Sequence, residues 1–377
     1  MIKNEYTILL RNRKLLFICV GAILINIFLW GRTIYDIESD SYQKAKNLIL
    51  EKNGGELNQE KESYINEYYA KLVDDYGSGK LDKQWNPYYY GEYEFIDYNV
   101  LTQLKERMEI VQSYSSLLNE KVSELDQIHD FYAENGNLVK AAKIEKVKSQ
   151  IQLRELAYLQ NDSIILEWIS YSYSAILELL VALIISSISA QNRKYKSVEF
   201  ATTKGRRWNG MTQNVAVLSM EFVVCTMIEF VSIIPMFLLR DVHFLEPLYY
   251  VEGYEYTLFD GSVLEFVLIV CVLRIVAIVL IGDIFYWIAY WLEQDTMVII
   301  INILLLGICY FNIPMESQNQ YNPINPLNVL GISHLWADCK DIYWVENVLK
   351  MMVLMLVVDI GCKGLGCLRK KYVSNRV

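Results

Sequence analysis

The sequence predicts an all-α integral membrane protein, with six transmembrane helices and a mainly helical extracellular domain between helices 1 and 2. The chain is 53% hydrophobic and 21% charged, whereas soluble domains carry about a quarter charged residues. Its apolar residues gather in six segments, at 14–31, 164–190, 214–239, 263–292, 297–313 and 347–367. A helix needs about 20 apolar residues to cross the hydrocarbon core of a bilayer, and most of these segments reach that length.

The first apolar segment lies in residues 1–31, which we assign to a cytoplasmic N-terminus and transmembrane helix 1. Basic residues followed by an apolar run are also typical of a secretory signal peptide. The chain continues with Trp30-Gly31-Arg32, however, and no small-x-small cleavage site follows the apolar run. We therefore expect this helix to remain in the protein.

The orientation of the helices follows from lysine and arginine, which are enriched in short cytoplasmic loops. Basic residues gather at three predicted cytoplasmic segments: Lys3, Arg11, Arg13, Lys14, Arg193, Lys194, Lys196, Lys204, Arg206, Arg207, Arg369, Lys370, Lys371 and Arg376. The segments 240–262 and 314–346 hold only Arg240 and Lys340. This bias predicts a multi-pass membrane protein with both termini in the cytoplasm and residues 32–163 outside the cell.

The net charge of −9 belongs to the predicted extracellular domain. Residues 33–163 hold 15 basic and 24 acidic residues, so their charge equals that of the whole chain. The acidic composition is therefore no guide to cytoplasmic partners, and no nucleic-acid partner is expected. The domain has no cysteine, so it must fold without disulfide bonds.

The predicted extracellular domain has the periodicity of helices. Apolar residues recur every three or four positions along Leu57–Tyr76 and, as a heptad seam, along Leu101–Tyr132. Asn135-Gly136 breaks the seam, and a second helix over about Leu138–Gln160 returns to transmembrane helix 2. The tyrosine-rich stretch Trp85–Tyr98 is predicted to be irregular, and either binds a sugar or peptide or packs within the domain.

Residues for catalysis are missing from the sequence. It contains no complete phosphate-binding loop, no H-E-x-x-H or G-x-S-x-G motif and no Cys-x-x-Cys pair, and its three histidines form no metal-binding pattern. The sequence therefore predicts a protein that is not an enzyme and holds no cofactor or metal. Any energy for transport would come from a partner subunit or an ion gradient.

The order of segments resembles the permease subunits of type-2 ABC exporters with a long first extracellular loop. The local similarity lies in the connection after helix 2, where a glutamate, small or threonine residues and basic residues follow one another: Glu199, Thr202, Thr203, Arg206 and Arg207. Lys204-Gly205 departs from the family pattern, which often has an apolar pair and a proline or serine there. The resemblance implies that residues 164–377 form transmembrane helices 2–6, with a cytoplasmic coupling helix within 191–212. The alternative is that 191–212 only anchors the chain through its positive charge.

This resemblance implies ABC ATPase subunits as partners, which would bind the ATP and Mg²⁺, and a second permease subunit, identical or homologous, in the membrane lipid. The cargo would be a peptide such as a bacteriocin or toxin. The protein would either export that peptide as a product of the cell or give the cell immunity to it. A sodium or small-molecule exporter permease is one alternative. A membrane sensor or scaffold with an extracellular coiled-coil domain is another.

Ionisable residues lie within the apolar segments and mark a candidate transport path or interhelical pairs. They are Glu178, Glu221, Glu229, Arg274 and Asp283, together with Glu265 and Asp359. By position, Arg274 is expected to pair with Glu178 or Glu229, and the remaining acids either line the path or hold the bundle together. Glu265 and Asp283 lie near the ends of their segment, where they would reach solvent.

Overall fold

The computed structural model describes residues 2–39, 55–77, 93–158, 173–191, 203–238, 243–292, 297–298, 300–304, 307, 349–350 and 352–364. The predicted segment 314–346 therefore lies outside the described residues, and of the predicted coupling segment 191–212 only Gln191 and residues 203–212 are described. Within the described ranges the chain is mostly helical and contains no β-strand. The predicted all-helical class is confirmed at that level.

The longer helices follow one another along the chain as α1 Ile2–Arg11, α2 Arg13–Ser39, α3 Gln59–Gly77, α4 Tyr93–Glu134, α5 Leu138–Ile151, α6 Tyr173–Gln191, α7 Thr203–Leu238 and α8 Val263–Leu292. A single 3-10 turn, Leu248–Tyr250, lies between α7 and α8. Residues 300–304 and 352–364 are also helical, and they fall within the last two predicted transmembrane segments.

Three helices in the described part of the chain are long and apolar enough to span a membrane: Arg13–Arg32, Gln213–Ile234 and Val263–Tyr290. A shorter apolar helix covers Ile176–Ser189. The sequence prediction of a membrane protein is supported at this coarser level, while the count of six transmembrane helices stays a prediction.

Helices α2, α6, α7 and α8 form one bundle, in which α8 lies against both α6 and α7. Its interior is filled by aliphatic and aromatic side chains such as Leu183, Phe266 and Tyr286, which are buried. Large apolar side chains on the outside of α7, including Phe222 and Phe230, are exposed. An apolar interior combined with an apolar exterior is typical of a bundle surrounded by lipid.

The start of α8 is fixed by a reciprocal cap. The Glu265 backbone N–H donates to Ser262 Oγ at 3.3 Å, and the Ser262 backbone N–H donates to Glu265 Oε2 at 2.9 Å. This is the Ser-x-x-Glu capping box, which satisfies two backbone donors that the first helical turn leaves free. Glu265 is exposed, as expected from its position in the sequence, and its role is local.

The segment between α2 and α6 is a helical insert composed of α3, α4 and α5. Helix α4 lies against both of the others, and Leu118, Leu125, Ile144 and Ile151 form a buried seam between α4 and α5. Gly136 adopts a positive φ of 74°, so the predicted Asn-Gly break between the two helices is confirmed. The predicted hairpin is thus correct in its helices, while its location outside the cell stays a prediction.

Two boundaries of the insert differ from the sequence prediction. Helix α4 already begins at Tyr93, so the last part of the tyrosine-rich stretch is helical, and residues 85–92 lie outside the described ranges. Helix α5 ends at Ile151 instead of continuing to about residue 160. The Arg154 side chain, three residues beyond this end, is bound by the segment before α8, a tertiary contact that helical periodicity does not reveal.

Candidate functional site

The candidate site consists of ionisable side chains buried between α6, α7 and α8. The first group, which we name the arginine cluster, contains Glu178 of α6, Glu229 of α7 and Arg274 of α8. Their exposed fractions are 0%, 1% and 1%. Arg274 Nη1 lies 3.7 Å from Glu229 Oε1, so the structure brings together one of the two pairs that the sequence left open.

Glu178 differs from its neighbours in the arginine cluster. Both of its carboxylate oxygens are buried, and neither has a hydrogen-bond partner among the described residues. Glu229 receives an additional contact from Cys271, whose Sγ lies 3.9 Å from Glu229 Oε2. The guanidinium group therefore lies beside one acid, and a second acid is buried in the same cluster without a hydrogen bond of its own.

A second group, the serine cluster, lies where α6, α7 and α8 come close together. Ser186 Oγ is 2.5 Å from Glu221 Oε1 and 2.8 Å from the carbonyl oxygen of Gly282. A Cβ atom on Gly282 would overlap the Glu221 carboxyl group. Only glycine therefore allows Glu221 to approach α8 this closely.

The two clusters have the same offset on all three helices. Glu178 and Ser186 on α6, Glu229 and Glu221 on α7, and Arg274 and Gly282 on α8 are each eight residues apart. Eight residues correspond to about 12 Å along a helix axis. The polar groups of these two clusters therefore form two levels about 12 Å apart within the bundle.

A third group, the lysine cluster, joins α7 and α8 to the helical residues 352–364. Lys363 Nζ lies 2.7 Å from Asp283 Oδ2 and 2.5 Å from Asp359 Oδ2. Asn214 Nδ2 donates to Asp283 Oδ1 at 2.8 Å. The expectation that Asp283 merely reaches solvent is wrong, because its side chain is only 3% exposed and is enclosed by these groups.

Sequence reasoning missed three contributors to these clusters: Ser186, Asn214 and Lys363. The spacing of Asp359 and Lys363, four residues apart, was the one local signal, since such pairs meet on a helix face. Nothing in the local sequence indicated the roles of Ser186 or Asn214. Their roles depend on which residues of other helices face them.

The predicted coupling residues are described only in part. Thr203, Arg206 and Arg207 lie in the first two turns of α7, which continues without a break into its apolar part. Glu199 and Thr202 lie outside the described residues. The coupling assignment therefore stays a prediction.

A contact that the sequence did not indicate joins the helical insert to residues 243–262, the segment between α7 and α8. Arg107 Nη2 of α4 lies 2.7 Å from Glu252 Oε2, and Tyr114 Oη donates to the Glu255 carbonyl oxygen at 3.0 Å. The Tyr114 and Tyr256 rings stack with centroids 6.2 Å apart. Burial is the main reason that the pKa of Tyr114 is raised to about 12, so its hydroxyl keeps the proton that it donates.

Arg154 is the central residue of this contact. It is 9% exposed, donates to the Thr257 carbonyl oxygen and pairs with Asp260, and its guanidinium group lies 5.0 Å from the centre of the Tyr249 ring. Such a cation over an aromatic face contributes further attraction. One arginine just after α5 thus binds both backbone and side chains of the 243–262 segment.

We expect Arg154→Ala to loosen this segment without unfolding the insert. A buried hydrogen bond to a charged group contributes about 1.5–3 kcal/mol, so local opening should increase about 10- to 100-fold. Hydrogen–deuterium exchange at the Val251 and Tyr254 amides, both hydrogen-bonded within the segment, measures it. Lys148→Ala, which removes a partly exposed ion pair between α5 and Asp126 of α4, should leave that exchange unchanged. Equal exchange in Arg154→Ala and the unaltered protein would contradict the anchoring role.

No family model, no curated protein and no solved structure matches this chain. The geometry of the buried clusters and of the contact with the insert therefore carries the functional argument.

Proposed function

We propose that this protein is the permease subunit of an ABC exporter in the bacterial cytoplasmic membrane, powered by separate ATPase subunits. In this proposal two permease subunits enclose the path. The cargo is a peptide that is exported or expelled to give immunity. The helical insert faces the outside, and the basic connection between α6 and α7 faces the ATPase.

The contact between the insert and residues 243–262 is the observation that carries this proposal. The chain passes through α6 and α7 between these two regions, and in this proposal each of the two helices crosses the membrane. Two crossings would return the chain to the side that it left, which agrees with the contact between the two regions and would place the connection between α6 and α7 on the opposite side. The basic residues around 193–207 favour the cytoplasm for that opposite side. This supports an arrangement with a charged cytoplasmic connection within reach of an ATPase.

The buried clusters support a role in transport as well as in packing. Ionisable residues within membrane helices are costly and are most often functional. Among the described residues of the bundle, five acids are buried, Glu178, Glu221, Glu229, Asp283 and Asp359, whereas the cations that pair with any of them are two, Arg274 and Lys363. A surplus of acids favours a cationic cargo over an anionic one.

The coupling prediction is tested by changing Arg206 and Arg207 together to alanine. If they hold an ATPase subunit, the variant should lose at least about 10-fold in ATPase recovered on affinity purification, which corresponds to about 1.4 kcal/mol of binding. The recovered subunit is to be identified by mass spectrometry as carrying a phosphate-binding loop. Membrane abundance of the permease is measured in parallel.

Arg369→Ala with Lys370→Ala is the matched control, since it removes two basic residues to which the resemblance gives no coupling role. Equal recovery of the ATPase by both double variants would remove the coupling assignment. Failure of the unaltered protein to recover any ATPase would favour the sensor or scaffold. Stimulation of the purified complex by sodium, and not by cationic peptides, would favour the sodium exporter.

A further inference from the structure

The serine cluster contains a hydrogen-bonding problem that only an additional proton solves. Ser186 Oγ lies 2.8 Å from the carbonyl oxygen of Gly282 and 2.5 Å from Glu221 Oε1. Both distances are within hydrogen-bond range for oxygen atoms. A serine hydroxyl carries one proton, and a backbone carbonyl oxygen can only accept.

Ser186 therefore cannot donate to both neighbours. If its proton goes to the Gly282 carbonyl, the contact with Glu221 needs a proton from the Glu221 carboxyl group. If it goes to Glu221 instead, two oxygen atoms without a proton between them face each other at 2.8 Å. Only the first arrangement satisfies both contacts.

The surroundings of Glu221 also favour the neutral acid. The side chain is fully buried, and its Oε2 atom has no hydrogen-bond partner among the described residues. The ionisable groups near it are Asp283 of α8, Cys225 of its own helix and Cys19 of α2. None of these is a cation, and Asp283 is already paired with Lys363. An ionised Glu221 would therefore be a buried charge beside another anion, which costs several kcal/mol.

We propose that Glu221 is a proton-binding site at the meeting point of α6, α7 and α8. The protonated carboxyl group donates to Ser186 Oγ, and the Ser186 hydroxyl donates to the carbonyl oxygen of Gly282. This chain of two hydrogen bonds joins the three helices. When Glu221 releases its proton to water, the first hydrogen bond can form only if Ser186 turns its own proton away from Gly282, so the link to α8 is lost.

This inference does not depend on an ATPase partner or on a cargo. It makes the packing of three central helices sensitive to one proton. Gly282 has a specific part in it, because a larger residue would displace the Glu221 carboxyl group.

The test uses the full-length protein reconstituted in lipid vesicles and infrared spectroscopy of the carbonyl stretch of protonated carboxylic acids near neutral pH. The unaltered protein should show this band, and Glu221→Gln should lose the part that Glu221 contributes. Glutamine can still donate to Ser186 through its amide, so the variant is expected to fold. Ser186→Ala removes the acceptor and should displace the Glu221 band in frequency without abolishing it.

Glu178→Gln is the matched control, since it removes another buried acid that does not touch Ser186. The displacement caused by Ser186→Ala should persist in the Glu178→Gln background and vanish in the Glu221→Gln background. An acid band at neutral pH that Glu221→Gln leaves intact would overturn the proposal. So would a Glu221 band that Ser186→Ala fails to move.

Discussion

Arg274→Met is expected to destabilise the bundle strongly, with a larger effect than the loss of either Arg154 or Lys363. The substitution leaves Glu229 buried without the cation that lies 3.7 Å away, and it leaves Glu178 buried in the same cluster. Removing one partner of a buried ion pair costs about 3–5 kcal/mol. The expected result is a large loss of monodisperse protein on heating, measured by size-exclusion chromatography of the protein in detergent.

The companion variant for Arg274→Met is Arg274→Met with Glu229→Gln. It removes the stranded charge and should recover most of the lost stability, because uncharged groups can share the buried site at lower cost. Arg274→Lys keeps the charge but loses the planar donor geometry of the guanidinium group. Its stability should therefore lie between that of Arg274→Met and that of the double variant. If adding Glu229→Gln to Arg274→Met restores no stability, the ion pair between Arg274 and Glu229 does not account for the loss.

Lys363→Met is expected to have the second largest effect. It leaves Asp283 and Asp359 side by side, with side-chain exposed fractions of 3% and 4%. Because Lys363 itself is 33% exposed, water screens part of the interaction, and we expect the lower end of the buried-pair range, about 3 kcal/mol. Thermal unfolding of the purified protein measures this loss.

Lys350→Met is the matched control for Lys363→Met, since Lys350 is an exposed helical residue 13 positions earlier. It should leave the unfolding temperature almost unchanged. Adding Asp359→Asn to Lys363→Met should recover part of the stability by removing one stranded carboxylate. Equal effects of Lys350→Met and Lys363→Met would show that the lysine cluster does not link the last described helix to α7 and α8.

The three clusters and the contact with the insert form a connected arrangement. Residues 243–262 hold the insert through Arg154 and lead directly into α8, which carries Arg274, Gly282 and Asp283. Helix α7 carries Glu229 and Glu221, and its first turns contain three of the predicted coupling residues, Thr203, Arg206 and Arg207. A movement at the first turns of α7 or at the segment before α8 would therefore move a helix that carries buried ionisable side chains.

Local sequence patterns were sufficient to predict the helices themselves. The seam of α4 follows from spacings of three and four, its end from Asn135-Gly136, and the apolar content of α8 from one continuous run. These features involve residues within a few turns of one another, so the sequence determines them without reference to the rest of the chain. The same reasoning correctly brought Arg274 near a glutamate in the bundle.

The partners across helices were decided only by the tertiary structure. Each residue along a helix rotates by about 100°, so the facing side chain depends on how the helices are rotated and shifted against each other. That choice selected Glu229 as the acid beside Arg274, joined Ser186 to Glu221 and Gly282, and brought Lys363 to Asp283. It also brought Arg154, just beyond the end of α5 at Ile151, to the distant 243–262 segment. The sequence by itself determines which segments are helical and apolar, whereas packing determines which buried charges meet.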